Sequence, residues 1–162
     1  MSVPDVSLAY DVICTAPETG PVILCHARTL AEGDRPQFLV NAARHLLFYR
    51  DQAEAYARLP VDIETFIRSE RFLAFGDAIY PAVMDELRKL NSGRYFEAVL
   101  TGAIGTGKTT IALLTIAYQL YVLSCLRDPH AFFKLDPGSE IVFALQSVTA
   151  QVAKDVAYRI GR

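Results

Sequence analysis

The sequence predicts an α/β fold, a partial parallel sheet with flanking helices, and three observations carry that expectation. Apolar runs of strand length alternate with helical stretches from Phe96 onward, the order that builds a strand–helix–strand unit. A glycine-rich turn separates the first of those runs from a long apolar helix. The 162 residues are 52% hydrophobic and 21% charged, which supplies a packed core and argues against a disordered chain.

Near the N-terminus, the apolar runs 6–14 and 22–25 flank the turn Pro17-Glu18-Thr19-Gly20-Pro21 and read as a β-hairpin. Pro36 opens a helix predicted to about Leu59, on which Phe38, Leu39, Ala42, Leu46, Ala53 and Tyr56 recur at helical spacing. Pro60 ends it. Residues 1–59 carry no recognisable chemistry and form an N-terminal extension; residues 60–162 form the second part of the chain. There Asp62 caps a short helix reaching Ile67, and Gly76 interrupts the chain. Pro81 stands in the first turn of a helix that carries Val83, Leu87 and Leu90 on one face, and Gly93 suits a left-handed cap behind it.

Residues 96–101 are the first predicted strand, 109–126 the long helix, 141–145 the second strand and 150–159 the last helix. Arg127-Asp128-Pro129 ends the long helix. Two parallel strands alone cannot bury both faces of a sheet. Residues 60–162 therefore read as the front part of a larger domain, apparently truncated.

Composition excludes several classes. A net charge of −2 and a pI near 5.9 give no basic field of the kind a stand-alone nucleic-acid binder carries. Cys14, Cys25 and Cys125 are odd in number and lack zinc-ligand spacing, so they read as reduced thiols. The adjacent Cys25 and His26 would point apart on a strand and make a poor metal site. No signal peptide is visible in residues 1–11. The apolar stretch 111–126 contains Thr115, Gln119 and Ser124 and is shorter than the roughly 20 apolar residues of a membrane span, so it reads as a buried helix.

The turn itself is Gly102-Ala103-Ile104-Gly105-Thr106-Gly107-Lys108-Thr109, which meets G-x-x-x-x-G-K-[ST] at every fixed position. It gives the fold expectation its specific form, a P-loop NTPase-type domain. Gly102, Gly105 and Gly107 permit backbone angles that side chains forbid, so amide N–H groups can turn inward as an anion nest. The following helix adds the positive end of its dipole. Lys108, the one residue to which a catalytic role is assigned, would reach the β- and γ-phosphates of ATP. Thr109 would offer its hydroxyl to Mg²⁺, with Thr110 as its neighbour in the first turn.

Hydrolysis needs more than this loop. A carboxylate at the end of a neighbouring strand must join the Mg²⁺ shell, and an acid or Gln must place the attacking water. Residues 141–145 are followed by Gln146-Ser147, with no acid. Asp85-Glu86 follows Val83-Met84 but falls within a predicted helix before the loop, where it reads as a solvated face. Asp155 falls on the last predicted helix and reads as exposed. The chain is expected to bind ATP and not to turn it over alone.

Residues 60–67 (Pro-Val-Asp-Ile-Glu-Thr-Phe-Ile), Ile79-Tyr80-Pro81 and the run from Tyr95 through Thr110 together resemble the large terminase subunit of tailed bacteriophages. Tyr118-Gln119-Leu120-Tyr121 and residues 137–142 fit the same likeness, which covers about residues 60–160. The resemblance implies the ATPase part of a motor that drives double-stranded DNA into a preformed capsid in the bacterial cytoplasm. It also implies a portal and a small terminase subunit as partners, and a nuclease domain that this sequence lacks. The sequence departs from the family further. The second acidic ATPase motif is absent, Ile104 stands about where some members carry arginine, and Val83 and Met84 follow Tyr80-Pro81-Ala82 where members often place a Gln that reads adenine. Tyr80 itself reads as a buried aromatic in preference to a base-stacking one. The alternative to a motor segment is a nucleotide-binding or assembly module without turnover. A small nucleotide kinase fits less well, because about 100 residues precede the loop.

Overall fold

The structure, a computed structural model, describes residues 5–76, 78–103 and 105–144, and helices are the regular structure that dominates them. The seven helices among these are α1 (Val6–Cys14), α2 (Thr19–Thr29), α3 (Arg35–Arg50), α4 (Ile63–Arg68), α5 (Pro81–Leu90), α6 (Lys108–Cys125) and α7 (Pro129–Phe133). A 3₁₀ turn, Ala53–Ala55, follows α3.

Among the described residues there is no β-sheet, and the predicted α/β fold is overturned. β-type pairing there is confined to an isolated antiparallel bridge between Tyr56 and Leu126. Residues 97–103 and 141–144 are irregular, with no ladder. A strand exists only through a paired neighbour, and an apolar run supplies the side chains without supplying the partner. Phe96 is fully exposed and Val99 is 78% exposed, so the first predicted strand is not buried either. Leu145 and the predicted helix 150–159 lie outside the described residues.

The expected N-terminal hairpin is a helical corner. Ala9 and Ile13 on α1, and Val22, Ile23, His26 and Ala27 on α2, are buried at helical spacing. Gly20 makes the corner possible: a Cβ there would lie 2.2 Å from the Ile13 carbonyl oxygen. The helix predicted to Leu59 stops at Arg50, because the chain turns through residues 53–55 and Tyr56 joins the bridge to Leu126. The Asp62 cap, α5 and α6 form where expected, the last beginning one residue earlier, at Lys108; α6, read as a buried helix, buries only the stripe Ile111, Leu114, Tyr118 and Cys125. The short α7 was not foreseen; Asp128 caps it by accepting the Ala131 N–H at 3.0 Å.

α1 lies along α3 and α2, while α4 touches α2, α5 and α6. One core runs through these layers, with Ile13, Ile23, Leu46, Ile67, Leu87 and Tyr118 almost fully enclosed. Burying an aliphatic side chain of this size is worth about 1.5–3 kcal/mol. A satellite core of Tyr56, Cys125 and Leu126 forms where the end of α6 meets the bridge. α6 is long and apolar enough to cross a membrane by length and composition alone. Its buried stripe of Ile111, Leu114, Tyr118 and Cys125 faces the protein. Tyr118 and Tyr121 on this helix are tied to the segment before α4. The Tyr118 hydroxyl donates to the Val61 carbonyl at 2.9 Å, and the Tyr121 hydroxyl accepts the Val61 N–H at 3.0 Å.

Candidate phosphate-binding site

The loop reaches α6 through Gly107, the residue before its first turn, which adopts a left-handed φ of +80°. A side chain there would be strained by that angle and would also press on Val83 of α5, whose Cγ2 lies 3.0 Å from the Cβ position. Sequence spacing alone gives the loop; the contact with α5 comes only from the fold. Gly102 and Gly105 also have positive φ, +141° and +87°. Ile104 lies outside the described residues.

Lys108 folds back across the loop. Its ammonium donates to the carbonyl oxygens of Gly102 at 2.9 Å and Ala103 at 2.6 Å, and to the Thr106 hydroxyl at 3.2 Å. The Thr106 hydroxyl in turn donates to the Ala103 carbonyl at 2.9 Å. An ammonium has three donors, so these contacts use its capacity. No side chain caps α6, and the first-turn amides of a helix have no partners within it. Thr109 and Thr110 are exposed in that first turn. The loop therefore brings together a cation, open amides, the positive end of an 18-residue helix and a free hydroxyl. An arriving phosphate would replace the neutral carbonyl acceptors on Lys108 with anionic oxygens, so that both sides of each contact carry charge.

Asp85, Glu86 and Glu64, on the two helices before the loop, are engaged elsewhere. Asp85 accepts from Arg88 at 2.6 Å and Glu86 from Lys89 at 2.8 Å, the solvated helix face expected of them. The buried Glu64 holds Arg88 at 2.6 Å and so joins α4 to α5. Burial opposes the charge on Arg88, and the hydrogen bond to Glu64 with the nearby carboxylates raises its pKa in net. Asp155 lies outside the described residues. Among the described residues no trio of His, Cys, Asp or Glu could enclose a metal ion. Mg²⁺ commonly keeps waters and takes few protein ligands beside substrate phosphates, so the Thr109 hydroxyl suits that habit.

Tyr80 departs from its expected burial. It is 79% exposed at the start of α5, one turn before the Val83 that touches the loop. Its exposure depends on what packs against α5, which local sequence does not encode. Cys25 and His26 sit on α2, a helix and not a strand; Cys25 is exposed and His26 is buried edge-on to Phe38 at 5.3 Å. Comparison of the chain with protein-family models, with curated proteins and with solved structures found no match.

Proposed function

We propose that residues 102–110 bind the phosphates of ATP, with Lys108 as their principal cationic contact and Thr109 as the protein ligand of the accompanying Mg²⁺. The observation that carries this reading is the Lys108 ammonium, held over the Gly102 and Ala103 carbonyls beside an uncapped helix N-terminus. Binding needs nothing more from the chain than a cation and amides aimed at one point. Hydrolysis would need a carboxylate beside the metal, and Asp85 and Glu86 are paired with Arg88 and Lys89. The chain thus binds ATP without appreciable turnover of its own.

The likeness of residues 60–67, 79–81 and 95–110 to large terminase subunits supports a wider proposal, that this is the ATP-binding segment of a viral DNA-packaging motor. Portal, small terminase subunit and double-stranded DNA would be the partners of that motor in the bacterial cytoplasm. With a net charge of −2, this segment alone should hold DNA weakly.

Equilibrium titration with a fluorescent ATP analogue and Mg²⁺ tests the phosphate site. Lys108→Ala should weaken binding at least about tenfold, the cost of one charge-assisted contact. Equal affinity in a folded Lys108→Ala variant refutes the assignment. ATP turnover that disappears with Lys108 would reveal a catalytic acid beyond those named.

A further inference from the structure

Away from the phosphate loop, a cleft of about 620 Å³ opens between α1, the start of α2, α3 and the segment through residues 53–59. That volume is ordinary for a small-molecule site. Val12, Leu46, Tyr56 and Leu59 supply apolar wall. The wall is fixed in place, since the Thr19 hydroxyl donates to the Leu59 carbonyl and Tyr56 pairs with Leu126.

The rim is where the charges gather. Arg50, Arg58 and Arg127 line it together with Asp11 and Glu18, so three cations meet two anions. None of the three guanidiniums forms an ion pair with either acid, although Glu18 lies near enough to raise the Arg58 pKa, behind the larger effect of Cys125. Two of the three are oriented through Nε, which leaves their terminal nitrogens available. Arg127 Nε donates to the Tyr56 carbonyl at 2.9 Å. Arg58 Nε reaches Cys125 Sγ at 3.5 Å, and its head lies 5.8 Å from the centre of the Tyr121 ring. Arg50 has no hydrogen-bonding partner and is exposed at the mouth.

We propose that this cleft binds a small amphiphilic anion, an aromatic or aliphatic body seated on the apolar wall with a carboxylate, sulfonate or phosphate head among Arg50, Arg58 and Arg127. Arginine forks suit a planar or tetrahedral oxyanion, and the excess of one positive charge favours an anion over a cation. The site is separate from the phosphate loop. Arg127 follows the C-terminal end of α6, and 18 helical residues span about 27 Å from the end where Lys108 lies.

The test is a nitrogen-15 NMR titration of the whole chain with 2-naphthoate, and in parallel with its neutral amide, 2-naphthamide. Naphthoate should shift the amides of Thr15, Ala57 and Arg127 with a dissociation constant of about 1 mM or tighter. It should bind at least about tenfold better than the amide, and lose about tenfold in Arg50→Glu, whose exposed position spares the fold. Leu47→Trp, which fills the cleft, should abolish binding, and saturating Mg²⁺–triphosphate, which suits the phosphate loop and has no apolar body for the cleft, should not compete. Equal binding of acid and amide overturns the anionic assignment. Failure of naphthoate to bind the folded wild type, undiminished binding in Arg50→Glu, or displacement by Mg²⁺–triphosphate overturns the cleft as its site.

Discussion

At Asp62 one carboxylate oxygen accepts the amides of Glu64 and Thr65 at 3.0 and 3.1 Å, and the other accepts the Thr65 hydroxyl at 2.6 Å. The start of α4 is therefore held by a single buried side chain. Asp62→Ala should lower stability by about 1–2 kcal/mol in chemical denaturation, and Asp62→Asn by less, since the amide oxygen still caps. A variant as stable as wild type would remove this account of the helix start. The cap was legible in the sequence because donor and acceptor lie within three residues of each other. The glycine-rich turn before α6 is legible for the same reason, since its pattern occupies the eight consecutive residues 102–109. Tyr80 was misread because a tyrosine becomes core or surface according to what lies across from it, and no neighbour in sequence decides that.

Element by element, the same rule separates success from failure. α5 and α6 carry their own evidence in period and punctuation, and both form nearly as read. The strands at 96–101 and 141–145 had only apolarity in their favour, and a run of that length does not say whether a partner exists to pair with it. α1 and α2 stand in place of the expected hairpin because the helical spacing of Ala9 with Ile13, and of Val22 and Ile23 with His26 and Ala27, prevails over the turn signal of Pro17 to Pro21. The irregular connector between α5 and α6 leads to a direct test. Tyr95 is 58% exposed and Phe96 fully so, without ladder hydrogen bonds to break before a protease can engage the backbone. Brief chymotrypsin treatment should cut there before it cuts within α6; a connector that resists as long as α6 would mean that it is paired or covered.

For the whole molecule, His45 is the point where three parts of the chain meet. It lies on α3, with Nε2 3.1 Å from the Pro60 carbonyl and 3.3 Å from the Tyr118 hydroxyl of α6. Burial lowers its pKa below the usual imidazole value, against the opposing pull of Asp62 and the carbonyls of Pro60 and Val61. A histidine with a depressed folded pKa binds its proton more readily when unfolded. Its stabilising effect is then present above an unfolded pKa of about 6.5 and fades as the pH falls through that value toward the folded one. The thermal midpoint should fall between pH 7 and pH 5, and His45→Gln should flatten that part of the profile; an unchanged slope would assign the pH dependence to other groups. None of this was readable at the level of sequence, because His45, Pro60 and Tyr118 become neighbours only when the layers stack.

The bridge between Tyr56 and Leu126 also bears on the order of assembly. Arg127 and the Tyr56 carbonyl it grips are 71 residues apart in the chain, whereas α1, α2 and α3 meet within the first 50. Closing a long loop is entropically slow and is rewarded only when its ends have surfaces ready to receive them. The N-terminal helices can collapse early, and the ring through residue 126 closes late. Until it closes, the cleft has two of its three arginines and its 53–59 wall lacks the bridge to Leu126, so recognition of an anion there would be a property of the last folding step, and a ligand that prefers the finished cleft would slow the first step of its undoing.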